Sequence, residues 1–376
     1  MHDRRKDKGK RYSLALLAFC LLLTELCNCR RQRQRAIWLR GNWAWIVDVL
    51  RTHEIEGDFD CCPSQSTISR FLSKSDEFAI KQTYLETLRQ VQKENNFSEV
   101  VPHNIAEPKF QIQYCIDGKR REGCASDLTG RTEIDLTIMR ADTREVLASC
   151  VCPDKEGEAT SGTKLLKQCG LKLLPGIFTF DAGITGPKFI KEVIATGHWY
   201  IAAIKGNAGN VFSIAVGGKW DESKLIAETS EESHGRREKR SVRILMISAF
   251  PPKTFSKYAR CACVIQVTRE YEEKGKFTSE TRYFIGSRGV SKLTPIEILG
   301  HVRAHWIQEN GLHWCKDAIL GEDDLFRSTK KTSRILGFFK TIVVAVAHQM
   351  MGSVSKFVDT YAASPQVMTL RLMCSG

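Results

Sequence analysis

The chain lacks the cysteine spacing of a paired structural zinc site. It holds 14 cysteines in 376 residues, but Cys27/Cys29, Cys150/Cys152 and Cys261/Cys263 are Cys-x-Cys pairs and Cys61/Cys62 are adjacent. Without Cys-x-x-Cys pairs or a secretory context, these thiols read as reduced, partly buried small apolar residues of a cytoplasmic protein. The N-terminus does not read as membrane-spanning or secretory. The run Leu14–Leu23 follows basic Arg4 to Arg11, but its ten residues fall short of the ~20 needed to cross a bilayer. It lacks a small-x-small cleavage site and is followed by Glu25 and the Arg30-Arg-Gln-Arg-Gln-Arg35 block. The run therefore reads as a buried helix of a small helical domain. Acidic residues are in deficit, 43 against 56 Lys+Arg, and the net charge of +13 suits a polyanionic partner, although an ordinary basic protein has the same composition. With 42% apolar residues, the length allows two or three domains with real cores.

Against this background three separated carboxylates stand out. Asp117 ends an apolar run (Ile112, Tyr114, Cys115, Ile116), Asp181 ends another (Ile177, Phe178, Phe180), and Glu309 lies in the helix-like segment Arg303-Ala-His-Trp-Ile-Gln-Glu-Asn. An acid closing a short buried strand sits at the carboxyl edge of an α/β sheet, where ligands bind. Two such strands side by side would bring Asp117 and Asp181 together. Their repulsion calls for a cation between them, and hard oxygen ligands suit Mg²⁺ or Mn²⁺. A third carboxylate from a helix on the sheet would complete a two-metal site for phosphoryl transfer. Singly, each acid is equally a solvated strand end or helix surface.

The surrounding motifs follow in one order: Tyr114-Cys-Ile-Asp-Gly-Lys119, Lys155-Glu-Gly-Glu158, Thr179-Phe-Asp-Ala-Gly183, Ile204-Lys-Gly-Asn207, Gly235-Arg-Arg-Glu-Lys-Arg240, His305-Trp-Ile-Gln-Glu-Asn-Gly-Leu-His-Trp314 and Gly321-Glu-Asp-Asp324. Together they resemble insertion-sequence DDE transposases of the H-repeat-associated type, from about Asp3 to about Met351. The resemblance implies that Asp117, Asp181 and Glu309 form the catalytic, metal-binding triad. It also implies a ribonuclease H-like core holding two Mg²⁺ (or Mn²⁺), which cuts and joins DNA at element ends. Implied partners are the element's terminal repeats and target DNA, with a homodimer in the synaptic complex and no membrane. The implied location is the bacterial cytoplasm, on the nucleoid when DNA-bound. The family usually has Gln where Pro187 and Ala208 stand, which bears on contacts to the DNA ends. Two alternatives stay open: a catalytically inactive DNA-binding relative, and a sequence-unspecific nuclease with the same core.

Organisation follows from the pattern. Residues 1–75 are expected to form a helical N-terminal, DNA-binding domain, with 76–106 a linker. Residues 107–355 are expected to form the ribonuclease H-like α/β domain, with a β-rich insertion at about 207–294, and 356–376 a C-terminal tail. Within the first domain, Pro63 to Leu72 reads as a helix with Ile68, Phe71 and Leu72 on one face and Arg70 on the opposite one, which suits a DNA-recognition helix and equally suits plain N-capping and solvation. In the core, Phe110 to Asp117, Arg131 to Met139, Val146 to Cys152, the Asp181 run and Trp199 to Ile204 read as strands. Gly162 to Cys169 and Pro187 to Ala195 read as helices. The insertion carries further strand-like runs at Val242 to Ile247, Cys261 to Val267 and Tyr283 to Ile285.

DNA contacts are expected from Lys205 beside the triad, and from Lys119, Arg303, Arg236 and Arg240. At 3.6 residues per turn Glu309 and Lys316 share a face two turns apart, which places Lys316 to hold a phosphate; the same spacing resembles a signature of related DDE transposases. Trp306 and Trp314, flanked by Ile307 and Leu312, read as core more readily than as stacking platforms for an unpaired base. Asp317, Glu322, Asp323 and Asp324 form a second acidic cluster that competes for the metal assignment, most of it read as capping or orienting. The closing run Ile335 to Met351 reads as a core helix.

Overall fold

Four helices, α1 (Leu14–Leu26), α2 (Gln32–Thr52), α3 (Gln65–Lys74) and α4 (Glu77–Glu94), precede β1 (Gln113–Arg120), β2 (Ile134–Arg140) and β3 (Val146–Cys152). Helices and strands then alternate as α5 (Glu158–Cys169), β4 (Ile177–Phe180), α6 (Pro187–Ala195), β5 (Trp199–Ile204) and α7 (Asn210–Val216). Four long strands follow: β6 (Leu225–Ser233), β7 (Arg236–Met246), β8 (Cys261–Glu273) and β9 (Lys276–Ser287). The chain closes with α8 (Pro295–Ile307), α9 (Lys330–Met351), α10 (Val354–Ala363) and α11 (Pro365–Cys374). This computed structural model describes residues 11–53, 57–94, 112–121, 133–152, 157–170, 173–233, 236–273, 275–324 and 329–374.

One nine-stranded mixed sheet, ordered β3-β2-β1-β4-β5-β9-β8-β7-β6, organises this α/β fold. The first three strands form an antiparallel meander; β4 and β5 then run parallel to β1, and β9 returns antiparallel against β5. β4, Ile-Phe-Thr-Phe, is buried throughout, as a strand covered on both faces must be. The strands of the 207–294 segment continue this same sheet from Ile201↔Gly286 to Ile204↔Tyr283. On one face, Tyr114, Ile116, Phe178 and Phe180 meet Leu166 of α5 and Phe189 and Ile190 of α6. On the other, Ile177, Ile201 and Ile265 meet Ile298, Leu299 and Val302 of α8.

The N-terminal helices share a core with α9 and α10. Ser13 caps α1 by accepting the Leu16 amide at 3.1 Å, and the leucines of α1 bury against α2, α3 and α9. Each contributes about 2 kcal/mol by leaving water. Glu25, inside this apolar helix, is buried with Arg35 at 2.5 Å and Lys340 at 3.3 Å. Burial opposes its charge, but Arg35 and then Lys340 outweigh that and hold its carboxyl below the usual range. Among the described helices only α9 is long and apolar enough, by length and composition, to cross a membrane, and it packs against α1, α3 and α4.

Candidate active site

Strand alternation builds the site. Gln113, Cys115 and Asp117 of β1 and Ile177 and Thr179 of β4 turn toward α8, and Asp181 follows one residue past β4. Ile116 and Phe180 are register partners, so the next residues, Asp117 and Asp181, stand side by side on parallel neighbours. Asp117 does not end its strand as expected: β1 continues to Arg120, because Gly118, Lys119 and Arg120 keep pairing with β2.

α8 delivers the third acid. It starts at a capping box, in which Thr294 accepts the Glu297 amide and Glu297 accepts the Thr294 amide, with Pro295 in the first turn. It is fixed across the sheet by Gln113 Nε2, which donates to the His301 carbonyl at 2.9 Å, and by a 3.1 Å bond between Thr179 Oγ1 and His305 Nδ1. Gln308 Nε2 donates to Thr137 Oγ1 at 2.7 Å, leaving Glu309 exposed beside the aspartates. Asp117, Asp181 and Glu309 line one cavity of about 400 Å³ with Lys205, His305 and Trp306.

The electrostatics of this cavity are unbalanced. Burial, and then the charges of Asp181, Glu158 and Glu309, push Asp117 up to about 7, against one hydrogen bond from the Gly118 amide at 2.9 Å. The nearby imidazoles do not offset this. Burial takes His305 down to about 4 and His313 down to about 3, so both are neutral at physiological pH. Among the described residues no three His, Cys, Asp or Glu side chains converge tightly enough to hold an ion in these rotamers. The donor set is nonetheless the one a hard divalent cation takes: carboxylate oxygens that repel one another until a cation joins them.

Downstream of α8 the backbone departs from the expected period. Gln308–His313 and Cys315–Ile319 wind as π-helical turns with i→i+5 bonds, so seven residues no longer close on one face. Lys316 is therefore not turned to solvent to hold a phosphate. It is buried, 3.1 Å from Glu322. Lys119 is likewise buried, 2.8 Å from Asp317 and 3.2 Å from Glu322. Burial disfavours the charge of Glu322, but Lys316, Lys119 and Arg121 together hold it down to about 2. The second acidic cluster thus carries its own counter-ions, with Asp324 at 2.7 Å from Arg30 on the surface.

The other expected DNA contacts divide. Lys205 is exposed at the carboxylate cavity, and Arg70 is exposed on α3 with its Nε on the Ser66 carbonyl. Arg303 and Arg240 line an adjoining cavity of about 740 Å³ and both pair with Glu231. Arg236 opens β7, but its side chain lies outside the described residues. That cavity adds Arg144, Arg269 and Arg282, which the sequence reading missed. Trp306 and Trp314 also line it at 37% and 58% exposure, so they are not core residues. Arg282 lies 4.6 Å from the Trp306 ring centroid.

No family model matches the chain. It is 26% identical over 289 residues to "Putative transposase YncI" of Escherichia coli O157:H7, a match covering 71% of this chain and 66% of that relative. It is 27% identical to "Putative protein YbfL" and to "H repeat-associated putative transposase YhhI", both of Escherichia coli K12, over 75% of this chain and 74% of each. Among solved structures, a chain of the piggyBac transposase synaptic complex with hairpin DNA is 10% identical, with a TM-score of 0.41, over 99% of this chain and 76% of that one. A likeness that loose carries no weight for the site. The resemblance carried by the motifs thus meets curated relatives of the same description: this chain is similar to proteins named as H repeat-associated and other transposases.

Proposed function

We propose that the protein is a DNA transposase that cleaves insertion-sequence ends and joins them to target DNA, through a DDE triad of Asp117, Asp181 and Glu309. The observation that carries this reading is the meeting of these three acids in one cavity from β1, the end of β4 and the segment after α8. The relatives named as transposases support it. So does strand order: an antiparallel β1–β3 meander followed by parallel β4 and β5 matches a ribonuclease H-like core, extended here by β6 to β9.

In this reading Asp117, Asp181 and Glu309 hold two Mg²⁺ or Mn²⁺, which, when bound, supply activation of the attacking oxygen and stabilisation of the leaving one. Thr179 and Gln308 fix the helix that carries Glu309. Lys205, exposed beside the acids, neutralises a DNA phosphate. Arg303, Arg240 and Arg282, with Trp306 and Trp314, offer the adjoining cavity to the DNA backbone and bases. Arg303 and Arg240 must exchange Glu231 for phosphate to do so. Arg70 contributes from the N-terminal helices. The protein works in the cytoplasm, as a homodimer on paired ends.

The test is strand cleavage and joining on DNA carrying the sequences that flank the gene, with Mg²⁺, for wild type and Glu309→Gln. Metal-dependent cutting and joining at the ends, lost in the variant, is the expected result. Nicks without joining would favour a nuclease, and binding without cutting by either protein would favour an inactive DNA-binding relative.

A further inference from the structure

Arg303 of α8 and Arg240 of β7 converge on one carboxylate, that of Glu231 on β6. Arg303 meets it fork to fork, Nη1 to Oε1 at 2.6 Å and Nη2 to Oε2 at 2.8 Å. Arg240 Nη1 donates to the same Oε2 at 3.4 Å. Both arginines line the cavity of about 740 Å³, which shares Arg282 and Trp306 with the carboxylate cavity.

An isolated ion pair at a surface contributes little and would need no further account. Strand pairing, however, gives no reason for an acid at this position. The register partner of Glu231 across β7 is Glu238, and like charges directly opposite are unfavourable. Glu238 already has a full partner in Arg269, which it binds through both oxygens at 2.9 Å. Two guanidinium groups also repel each other, and here a single anion draws them together. A guanidinium fork offers a phosphate the same two-point geometry that it offers a carboxylate. The pair is open to exchange as well, with Arg303 38% and Glu231 47% exposed on the edge strand of the sheet, whereas Lys316 and Glu322 are 2% and 1% exposed.

We propose that Arg303 and Arg240 form the subsite for a single DNA phosphodiester, and that Glu231 fills it as an internal stand-in which DNA must displace. The inference rests on the DNA-binding part of the reading above, and adds how that subsite is kept closed. The carboxylate holds two like-charged side chains in position. It also neutralises them, so that they add little to non-specific affinity, or to its salt dependence, until Glu231 leaves.

The experiment is fluorescence anisotropy of a fluorescein-labelled DNA duplex of mixed sequence, titrated with the full-length protein over a range of KCl. Wild type is compared with Glu231→Gln, Glu232→Gln and the double variant Glu231→Gln/Arg303→Ala. Glu232, 67% exposed and paired with Arg237, follows Glu231 on the same strand and controls for the loss of one negative charge. Thermal unfolding checks that each variant is folded. Glu231→Gln is expected to bind roughly three- to tenfold tighter at low salt, with a salt slope steeper by about one to two, as freed arginines release counter-ions. Glu232→Gln should show a clearly smaller gain, and Arg303→Ala should remove most of the gain from Glu231→Gln. Equal tightening in the two single variants would reduce the effect to net charge and overturn the proposal. So would wild-type affinity in Glu231→Gln, or a gain that survives Arg303→Ala. No DNA binding by wild type or Glu231→Gln would overturn the DNA-binding reading itself. Should Glu231→Gln not fold, Glu231→Thr, which suits an edge strand, is held to the same outcomes against the same control.

Discussion

Two acidic clusters flank the segment after α8, and they solve the same electrostatic problem in opposite ways. Behind the segment, Asp135, Asp317, Glu322 and Asp323 are interleaved with Lys119, Lys316 and Arg121, so that Glu322, though buried, stays ionised down to about 2. In front of it, Asp117, Asp181 and Glu309 line one cavity, and burial followed by the neighbouring carboxylates pushes Asp117 up to about 7. A buried acid with its own cations is a structural strut. Acids gathered with an exposed Lys205 at their edge, in place of buried cations paired to them, are held in readiness for a charge from outside, which is the physical signature expected of a metal site.

The comparison breaks first if the rear cluster is not a strut. Glu322→Ala leaves Lys316 and Lys119 buried without their shared partner, and is expected to cost about 3–5 kcal/mol in denaturant unfolding. The wild-type contribution is present above the ordinary carboxylate range and is lost as pH falls toward about 2, because the folded pKa is depressed. An effect below about 1 kcal/mol would contradict this account.

The front cluster should respond with the opposite sign. Asp117 binds its proton in the folded state between its ordinary value of 3.8 and about 7. Metal-free stability therefore falls as pH rises through that window and levels off above it. Asp117→Asn should lack this fall, and above pH 7 in chelator should exceed wild type by on the order of 2 kcal/mol. Thermal unfolding against pH checks it; parallel profiles for the two proteins would contradict it.

Smaller effects sharpen the contrast between presented and sequestered cations. Trp314→Ala is expected to weaken single-stranded DNA binding by about 1–2 kcal/mol through lost stacking, measured by fluorescence anisotropy. Lys205→Ala should lower affinity for any DNA by less than about 1 kcal/mol and reduce the salt slope by about one. Lys316, buried on Glu322, should show no such slope change when replaced by Met.

The first five strands were largely legible in the sequence because they are short, apolar and bounded by breakers, whereas the long, mostly polar β6 carries no sustained apolar run and had no strand expectation. Val146–Cys152, Trp199–Ile204 and the helix Pro187–Ala195 lie where their patterns place them. Asp117 and Asp181 were legible as carboxylates at the ends of apolar runs, although Asp117 lies inside its strand, since pairing with β2 carries β1 through Gly118 to Arg120. The face of Lys316 was not legible. Periodicity assumes i→i+4 bonds, and the π-helical turns from Gln308 onward change the phase without an obvious residue to announce it. The outward turn of Trp314 escaped for the same reason, whereas Trp306, still within regular α8, was misread from its apolar neighbours, and the cavity arginines of β8 and β9 lie far from the motif in sequence. Glu158 was visible as part of a motif, but its place beside the aspartates depends on the tertiary approach of α5 to Gly118 and Gly183.

The most direct test of the central claim is Mg²⁺-dependent cleavage of element-end DNA by wild type and by Asp117→Asn at pH 8, where the variant is expected to be the more stable protein before metal is added. The account predicts cutting by wild type and a loss of roughly a thousandfold or more, about 4 kcal/mol of barrier, in the variant. Metal-dependent cutting by a folded Asp117→Asn protein at the wild-type rate would contradict it.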